Sequence, residues 1–597
     1  MKYRINQKID KKWIILLLTL NILFTGFQIP LNSAMFIFGS ARVEYLDLFP
    51  SQQDYENLLI AHQKSDLVSE KNVLNSDFYS SLITFRQSES YIEHTAISIN
   101  GNSDFLSQAT NEGWNGTGTI DDPIIIAGYK FSNDSGYLFK IENTNLHFDL
   151  RDNLFDGENI TREVGLHFGN VSLGTISNNF IFDLRGADDE NITGCYVVDG
   201  NHLTFTDNTL GRITGDNGKV IYYDPRDYYS LGGEAIGVHV VTTTNLILRN
   251  NSFYNIEGGE GASHEYGGDG GTGIGIYLED IINLTFTDNS FRRIIGGDGG
   301  SAGGGGGSYG GSAIGILLKN GTNGKFENNI LSVIISGKKG AGRTPGGSPG
   351  ICQGLSFINV RNMIVNGTTL SDTNGIAIDL KTVNNLLITN NNISNNIGRS
   401  GRTERVGGTH GESVVGIRLV DGFNNTFIDN SITNTRGGQG GSSTGSMSGS
   451  PGDGGKATGF YLNHAENNTL NNNTVNNTIG GDGGDARTGE NGGQGGDGIG
   501  FLLESSNTNT ICNNIILNSI GGQGGSGESN GIDGIGETIL LIDSADNTLC
   551  NNTSSININE TGFGNALFIL AFLFSVFTVM VAGIRLANIV KKRKYVL

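Results

Sequence analysis

Two short segments concentrate side chains that could cleave or modify a glycan. The first, RGADDENITG, contains Asp188 and Asp189, and the second, IYYDPRDYY, contains Asp224, Arg226 and Asp227. Glycoside hydrolases pair two carboxyl groups across the scissile bond, and lyases add a basic group that removes a proton. Neither segment supplies a complete acid–base set, so we keep these residues as candidates and assign none as catalytic. The alternative for IYYDPRDYY is a proline turn whose exposed tyrosines bind sugar.

Aspartates within the glycine-rich pieces are the candidates for a metal site. Calcium-binding repeats of the GGxGxDxUx type need a nine-residue register, and pieces such as GGDGG share the Gly and Asp but not that register. No HExxH motif occurs, so metal catalysis is not predicted. We therefore expect no cofactor, with calcium as the alternative. The calcium candidates are Asp269, Asp298, Asp453, Asp482 and Asp497.

Asn-x-Ser/Thr sequons are abundant along the chain. Outside the membrane such sites can carry glycan, although a repeat rich in Asn and Thr also produces sequons by chance. The sequence therefore predicts a glycoprotein. The glycosylation candidates are Asn115, Asn191, Asn283, Asn320, Asn366, Asn424, Asn467 and Asn559.

One sequence unit recurs between the two apolar ends of the chain. At Gly273 it reads GIGIYLEDIINLTFTDNSFRRIIGGDGG, and related units begin at Ala235, Ala313, Gly375, Val415, Thr458 and Gly498. Each unit has short segments that alternate apolar and polar residues, which is typical of strands. One unit buries too little apolar surface to fold alone, so the units must stack. The repeat predicts an all-β, right-handed parallel β-helix.

Asparagines occupy equivalent corners in successive units. Asn enters the left-handed region more readily than other non-Gly residues, and stacked side-chain amides can form ladders. We therefore assign these asparagines to architecture. They are Asn208, Asn251, Asn289, Asn329, Asn391, Asn430, Asn473 and Asn514.

The spacing of the units predicts glycine-rich insertions on one face. The strand-opening glycine returns about every 40 residues, but Gly354 and Gly375 are only 21 residues apart. A bare coil needs roughly 20–25 residues, so the longer intervals are a coil plus an insertion at a fixed point. We expect the insertions to be polar, ligand-free excursions that pack against each other.

The two ends predict export and a membrane anchor. Residues 1–34 read as a signal peptide or signal anchor, 35–96 as a linker or N-terminal cap, and 565–590 as a transmembrane helix before a basic cytoplasmic tail, 591–597. Between them we expect irregular β-helix coils over 97–230 and regular repeats over 231–560. The bulk of the chain is then extracellular at the plasma membrane.

The four cysteines, Cys195, Cys352, Cys512 and Cys550, form no CxxC pair. That spacing argues against a zinc site, and buried free thiols are the simplest interpretation. A bridge between Cys512 and Cys550 is the alternative, because adjacent coils stack within about 5 Å.

A family resemblance agrees with the repeat. The segment from Trp114 through Asp122, Pro123 and Ile124–Ile126 resembles an entry motif that precedes β-helix repeats in archaeal surface proteins. Residues 97–560 resemble the pectate-lyase-like superfamily with NosD-type repeats, whose members include enzymes, adhesins and structural proteins. IYYDPRDYY also resembles the YGFDPHD motif of alginate C5-epimerases, but Arg226 replaces its histidine, so the acid–base assignment does not transfer.

Charge and composition narrow the function. The chain has 597 residues, 92 of them Gly, and a net charge of −20. Such an acidic chain repels nucleic acid. The leading hypothesis is a membrane-anchored surface protein with a structural or glycan- or protein-binding role, with polysaccharide or surface proteins as partners. The alternative is a carbohydrate-active enzyme on the same scaffold: a lyase, hydrolase or epimerase.

Overall fold

The computed structural model describes residues 91–132, 136–157, 163–187, 191–223, 226–265, 267–303, 307–342, 347–403, 407–444, 449–487 and 489–554. Over these ranges the chain is a right-handed parallel β-helix, as the repeat predicts. The predicted signal segment 1–34, the transmembrane segment 565–590 and the tail 591–597 lie outside the described residues. Within the described ranges no helix is both long and apolar enough to cross a bilayer.

Each regular coil contributes one strand to each of three faces, named here in chain order. Face 1 contains Ile97–Asn100, Phe139–Thr144, Val164–Val171, Ile192–Val198, Ala313–Lys319, Cys352–Ile358, Ile376–Lys381, Val414–Val420, Ala457–Asn463, Gly498–Glu504 and Gly536–Ile542. Face 2 contains Ile124–Ala127, Phe148–Arg151, Gly174–Ser177, Thr204–Thr206, Thr322–Glu327, Arg361–Asn366, Leu387–Thr389, Thr426–Ile428, Thr469–Asn471, Thr510–Cys512 and Thr548–Cys550. The long strands Ala235–Arg249 and Gly273–Thr287 run through both faces and join them into one sheet.

Face 3 is a separate sheet. It contains Ile92–His94, Tyr129–Phe131, Leu154–Asp156, Phe180–Arg185, Thr209–Thr214, Ser252–Glu257, Ser290–Ile295, Ile330–Ile335, Thr369–Thr373, Asn392–Ile397, Ser431–Arg436, Thr474–Ile479, Ile515–Ile520 and Thr553–Ser554. All pairings within the three faces are parallel; the one described antiparallel strand pair is the hairpin Val220–Tyr223 with Arg226–Tyr229. The first strand of face 3 lies within the segment 35–96 that was predicted to be a linker or cap.

The lumen is one continuous apolar column. Equivalent side chains stack coil on coil, as in the register Phe253↔Phe291, whose rings lie 4.5 Å apart and nearly parallel. The N-terminal end of this column is covered by a helix, Asn102–Glu112, which buries Phe105 against Phe148. This helix lies directly before the segment from Trp114 to Ile126 that carries the family resemblance.

Asparagines stabilise the corner between faces 2 and 3, as predicted. Asn430 donates from Nδ2 to Oδ1 of Asn473 at 2.9 Å, and Asn473 repeats this with Asn514 at 3.0 Å. Each residue also takes part in main-chain bonds to neighbouring coils, so its buried amide is fully paired. The preceding residue, such as Asn472 with φ 55°, turns the chain in the left-handed conformation.

The glycine-rich insertions form a second ordered layer on one side of the β-helix. Each insertion runs out and returns as two extended segments, and we call this pair a rung. The main-chain bonds alternate between the two segments of successive rungs: Gly455 donates to Gly438, Gly481 to Gly455 and Gly496 to Gly481, at 2.8–2.9 Å. The three-residue periodicity of G-G-x matches the three residues per turn of a polyproline II helix.

The rungs pack so closely that side chains are excluded at defined positions. A Cβ on Gly481 would lie 1.9 Å from the Gly438 carbonyl oxygen, and one on Gly484 would lie 2.2 Å from that of Gly441. These glycines therefore form columns through successive rungs, which we call the glycine columns. The insertions are packed rungs of the solenoid, and their location on one side confirms the fixed insertion point.

Candidate functional site

The residues proposed for glycan cleavage are only partly described. Asp188, Asp189 and Asp224 lie outside the described residues. Arg226 and Asp227 lie on the second strand of the hairpin, where their Cα positions pair with Tyr223 and Tyr222. Their catalytic role stays a prediction.

The five calcium candidates have a structural role within the rungs. Each carboxylate accepts the main-chain N–H of the equivalent residue in the next rung; for example, Asp298 accepts from Lys338 at 2.8 Å and Asp482 from Gln523 at 2.9 Å. Asp269, Asp453 and Asp497 do the same for Tyr309, Gln494 and Ile535. Within the described ranges no group of three or more His, Cys, Asp or Glu residues is placed to hold a metal ion.

Most glycosylation candidates lie at the surface. Asn115, Asn191, Asn283, Asn320, Asn424 and Asn467 are exposed and Asn366 is half-buried, whereas Asn559 lies outside the described residues. Several of them also bond along the solenoid; for example, Asn283 donates to Asn245 and Asn320 to Asp280. Glycosylation remains a prediction for these sites.

An aromatic column on the outside of face 1 is the first candidate site. The rings of Tyr137, His167, Tyr196, His239 and Tyr277 follow one another at centroid distances of 5.2, 5.5, 5.2 and 4.5 Å. The rings lie outside because side chains alternate between the two faces of a strand. Cys195 and Val197 are buried in the lumen, so Tyr196 between them points outward. The column is partly buried, so each of these rings is partly open to solvent.

Charged groups converge on the last ring of this column. The Tyr277 hydroxyl donates to Oε2 of Glu279 at 2.7 Å, and Nζ of Lys319 donates to the same hydroxyl at 2.7 Å. Glu234 is also close enough to interact electrostatically with Lys319 and Tyr277. Together with His239 these residues form what we call the Tyr277 cluster.

Burial sets the protonation states in the Tyr277 cluster. It lowers the pKa of His239, with Lys319 adding to the effect and Glu279 opposing it, so the imidazole is neutral near pH 7. Burial, together with the bond to Glu279, raises the pKa of Tyr277, which therefore keeps its proton. Nε2 of His239 is buried without a hydrogen-bond partner among the described residues. A neutral imidazole and a protonated phenol thus lie side by side.

The sequence could not reveal this cluster. Glu234 and Lys319 are 85 residues apart in the sequence, and insertions of unequal length separate the coils. Only the strand register Tyr196↔His239↔Tyr277 aligns the rings. Aligning the repeats on their strand-opening glycines was the available signal, because His167, Tyr196, His239 and Tyr277 each lie two residues after such a glycine.

A cleft in the glycine layer is the second candidate site. The coil of face-1 strand Cys352–Ile358 has no insertion, which leaves one rung missing between the rung that ends near Gly350 and the one that begins at Gly398. The resulting cavity has a volume of about 1100 Å³. The bare coil predicted from the sequence is therefore a gap in the layer, and we call it the gap cleft.

Side chains enter the gap cleft where the glycine columns begin. The first position of each of four glycine columns is occupied by a residue with a side chain. Each of these residues lies under a glycine of the next rung, and a Cβ on that glycine would lie 1.8–2.0 Å from its carbonyl oxygen. The pairs are Arg399 with Gly438, Arg402 with Gly441, Thr409 with Gly452, and Glu412 with Gly455. No rung precedes the four residues, so side chains are tolerated there.

Two of the four residues repair the main-chain bonds that the missing rung would have made. The Thr409 hydroxyl accepts the N–H of Arg402 at 2.8 Å, and the Glu412 carboxylate accepts that of Arg399 at 3.2 Å. On the opposite wall, Pro349 occupies the position that Gly310 has in the preceding rung. Gly310 donates its N–H to the next rung, whereas Pro349 has no N–H to donate. The gap is thus capped on both walls.

The comparisons with known proteins support no assignment. No model of a protein family matches the sequence, and no curated protein matches it. Solved structures that align include a periplasmic alginate epimerase (10% identity, 80% of this chain and 89% of that chain, TM-score 0.26). A mannuronic-acid-specific family 6 polysaccharide lyase from human gut microbiota also aligns (10%, 78% and 92%, TM-score 0.32). So does DFA-IIIase from Arthrobacter chlorophenolicus A6 (11%, 79% and 99%, TM-score 0.27).

At these identities and TM-scores the likeness carries no argument about activity. The chemistry of the two sites must be judged from their own residues. The aromatic column offers a row of partly buried rings on the outside of face 1, whereas the gap cleft offers a slot one rung wide with cationic walls.

Proposed function

We propose that this chain is an exported, membrane-anchored surface protein that binds glycan along the aromatic column without turning it over. The observation that carries the proposal is the row of five rings from Tyr137 to Tyr277. At about 4.8 Å per coil the row extends over about 19 Å, long enough for an extended oligosaccharide. Aromatic residues with polar tips suit ligands that are apolar on one side and hydroxylated on the other.

Two further features support export. Cys512 and Cys550 form a disulfide between register-paired positions of adjacent coils, with Cα atoms 4.6 Å apart. Disulfides persist mainly in oxidising compartments outside the cytoplasm. The basic and apolar pattern of residues 1–34 and the apolar run within 565–590 are consistent with the same location.

Binding is favoured over catalysis because the polar groups of the Tyr277 cluster are largely occupied by one another. The Tyr277 hydroxyl both donates to Glu279 and accepts from Lys319. A catalytic base must instead reach a substrate proton within hydrogen-bond distance. The cluster therefore suits ligand recognition as it stands.

A glycan array followed by affinity measurements on the purified extracellular region tests this proposal. Tyr196→Ala should weaken binding of the selected glycan about two- to tenfold, because one ring contact is worth about 0.5–1.5 kcal/mol. Tyr461→Ala is the matched control, since Tyr461 lies on the same face five coils beyond Tyr277. Absence of any bound glycan, or equal effects of the two substitutions, would overturn the proposal.

The second candidate is a carbohydrate-active enzyme, and the specific observation for it is the neutral imidazole of His239 beside the protonated phenol of Tyr277. That pair could remove and return a proton at a sugar carbon while Lys319 neutralises a nearby carboxylate. Turnover of uronate polymers that is lost in His239→Ala would establish the enzyme. Binding without turnover would favour the first candidate.

A further inference from the structure

The gap cleft collects cationic side chains on an otherwise acidic protein. Lys338 and Lys339 line one wall, and Arg399 and Arg402 line the other, whereas Glu412 is the one carboxylate among the described lining residues. The chain as a whole carries a net charge of −20. The local charge around the gap cleft is therefore positive, in contrast to the negative charge of the chain as a whole.

The cations differ in how far other groups neutralise them. Arg399 reaches across the floor of the gap cleft to donate to the Ser336 carbonyl oxygen, and Glu412 lies close enough to interact with its charge. Lys338 lies 4.0 Å from Asp298 at an exposed position. Lys339 and the guanidinium of Arg402 make no ion pair or side-chain hydrogen bond with any described residue. Positive charge in the gap cleft is thus left uncompensated.

The floor of the gap cleft is built from paired polar groups. Asn374, in the bare coil, accepts the N–H of Ser336 at 3.1 Å and donates to Glu412 at 3.2 Å, so it spans the two flanking rungs. Nη1 of Arg399 is buried with no hydrogen-bond partner among the described residues. One donor at the floor and two cations at the walls thus remain available.

A glycine rung is the wrong occupant for this slot. Arg399, Arg402, Thr409 and Glu412 project where a preceding rung would have to pack, and the caps described above already satisfy the N–H groups that would bind it. Pro349 removes a donor from the opposite wall. The slot is about 9–10 Å between flanking rungs, twice the usual strand spacing, and that admits a single layer of ligand.

We propose that the gap cleft is an oxyanion-binding site that takes a carboxylate, sulfate or phosphate group. Arg402 and Lys339 make the direct charge contacts, and the planar guanidinium of Arg402 can hold two oxygens of one group. Arg399 positions the floor, and Thr409 and Glu412 bond the N–H groups of the wall that Arg399 and Arg402 line. This site is separate from the aromatic column and does not depend on it.

Isothermal titration of the extracellular region with three probes tests the proposal. The probes are inorganic phosphate, inorganic sulfate and a tetragalacturonate, which separate the sources of the oxyanion. We expect at least one to bind with one-site stoichiometry, and to bind more weakly as salt rises. Absence of binding by all three probes at low ionic strength would overturn the proposal.

Variants make the test specific to the gap cleft. Arg402→Gln and Lys339→Gln should each lower the affinity at least tenfold and leave the melting temperature unchanged, because neither side chain has a described partner. Arg361→Gln, which removes an exposed cation on face 2, is the control and should change nothing. Equal affinities for wild type, Arg402→Gln and Lys339→Gln would overturn the proposal, whereas loss of neutral-glycan binding in Tyr196→Ala concerns the aromatic column alone.

Discussion

Neighbouring asparagines in this chain have different physical roles. Asn472 turns the backbone with φ 55° and is exposed, whereas Asn473 is fully buried and links Asn430 to Asn514. The sequence predicted that both belong to corners, because Asn recurs there and tolerates the left-handed region. Which of the two enters the buried ladder depends on the direction of each side chain, and that direction is set by the folded coil rather than by residue type.

We predict that Asn473→Ala destabilises the protein by about 2–5 kcal/mol. The substitution removes the acceptor for the N–H and Nδ2 of Asn430, and each buried donor left unpaired costs about 1–3 kcal/mol. Asn472→Gly is the control and should change little, because glycine adopts positive φ without strain. Thermal and denaturant unfolding measure both; comparable losses would contradict the assigned roles.

The pKa of His239 leads to a pH prediction. Burial holds this pKa below its unfolded value of about 6.5, so the neutral ring contributes stability that is present above that value. As the pH falls through it, the unfolded chain takes up the proton first and that stability is lost. The melting temperature of the wild type should therefore exceed that of His239→Gln by more at about pH 7.5 than at about pH 5.5. A difference that stays constant with pH would refute this.

Glycine-rich segments look like flexible loops in the sequence, but here they are structural elements. The sequence located the insertions and the bare coil, because the interval from Gly354 to Gly375 is short. It did not show that omitting one rung opens a cleft, since the insertions were expected only to pack as ligand-free excursions. The available signal was the departure from glycine at Arg399 and Arg402 when the rungs are aligned.

We predict that Gly441→Ala is destabilising whereas Arg402→Ala is not, although the two residues occupy equivalent positions. An alanine Cβ at 441 would lie 2.0 Å from the Arg402 carbonyl oxygen, which should cost about 2 kcal/mol or more. Arg402 faces the gap cleft, so its truncation should stay within about 0.5 kcal/mol. Unfolding midpoints of the two variants provide the measurement. Equal tolerance would mean that the rungs are not packed as described.

The whole molecule behaves as a linear stack in which each coil depends on its neighbours. The C-terminal described coil has a largely exposed face-1 strand, Gly536–Ile542, and it is linked to the preceding coil by the Cys512–Cys550 disulfide. The sequence left that bridge as an alternative to free thiols, because pairing depends on the register between coils. Cys195 and Cys352, in contrast, are free and buried, which agrees with the simplest interpretation.

We predict that reducing the disulfide loosens the C-terminal coil before the rest of the solenoid. The bridge closes a sequence separation of 38 residues, which the chain-entropy treatment values at up to about 4 kcal/mol. Hydrogen exchange should therefore rise first in residues 536–554 after reduction, while the central coils stay protected. A uniform rise along the whole chain would contradict a nearest-neighbour stack.

The central claim is that the glycine-rich segments are packed rungs whose interruption creates the gap cleft. Native-state hydrogen exchange of the oxidised protein tests it most directly. The main-chain N–H groups of Gly438, Gly455, Gly481 and Gly496 should be protected to a degree comparable with the strands of face 1, because each donates to a neighbouring segment. Exchange of these glycines at the rate of an unstructured peptide would contradict the account.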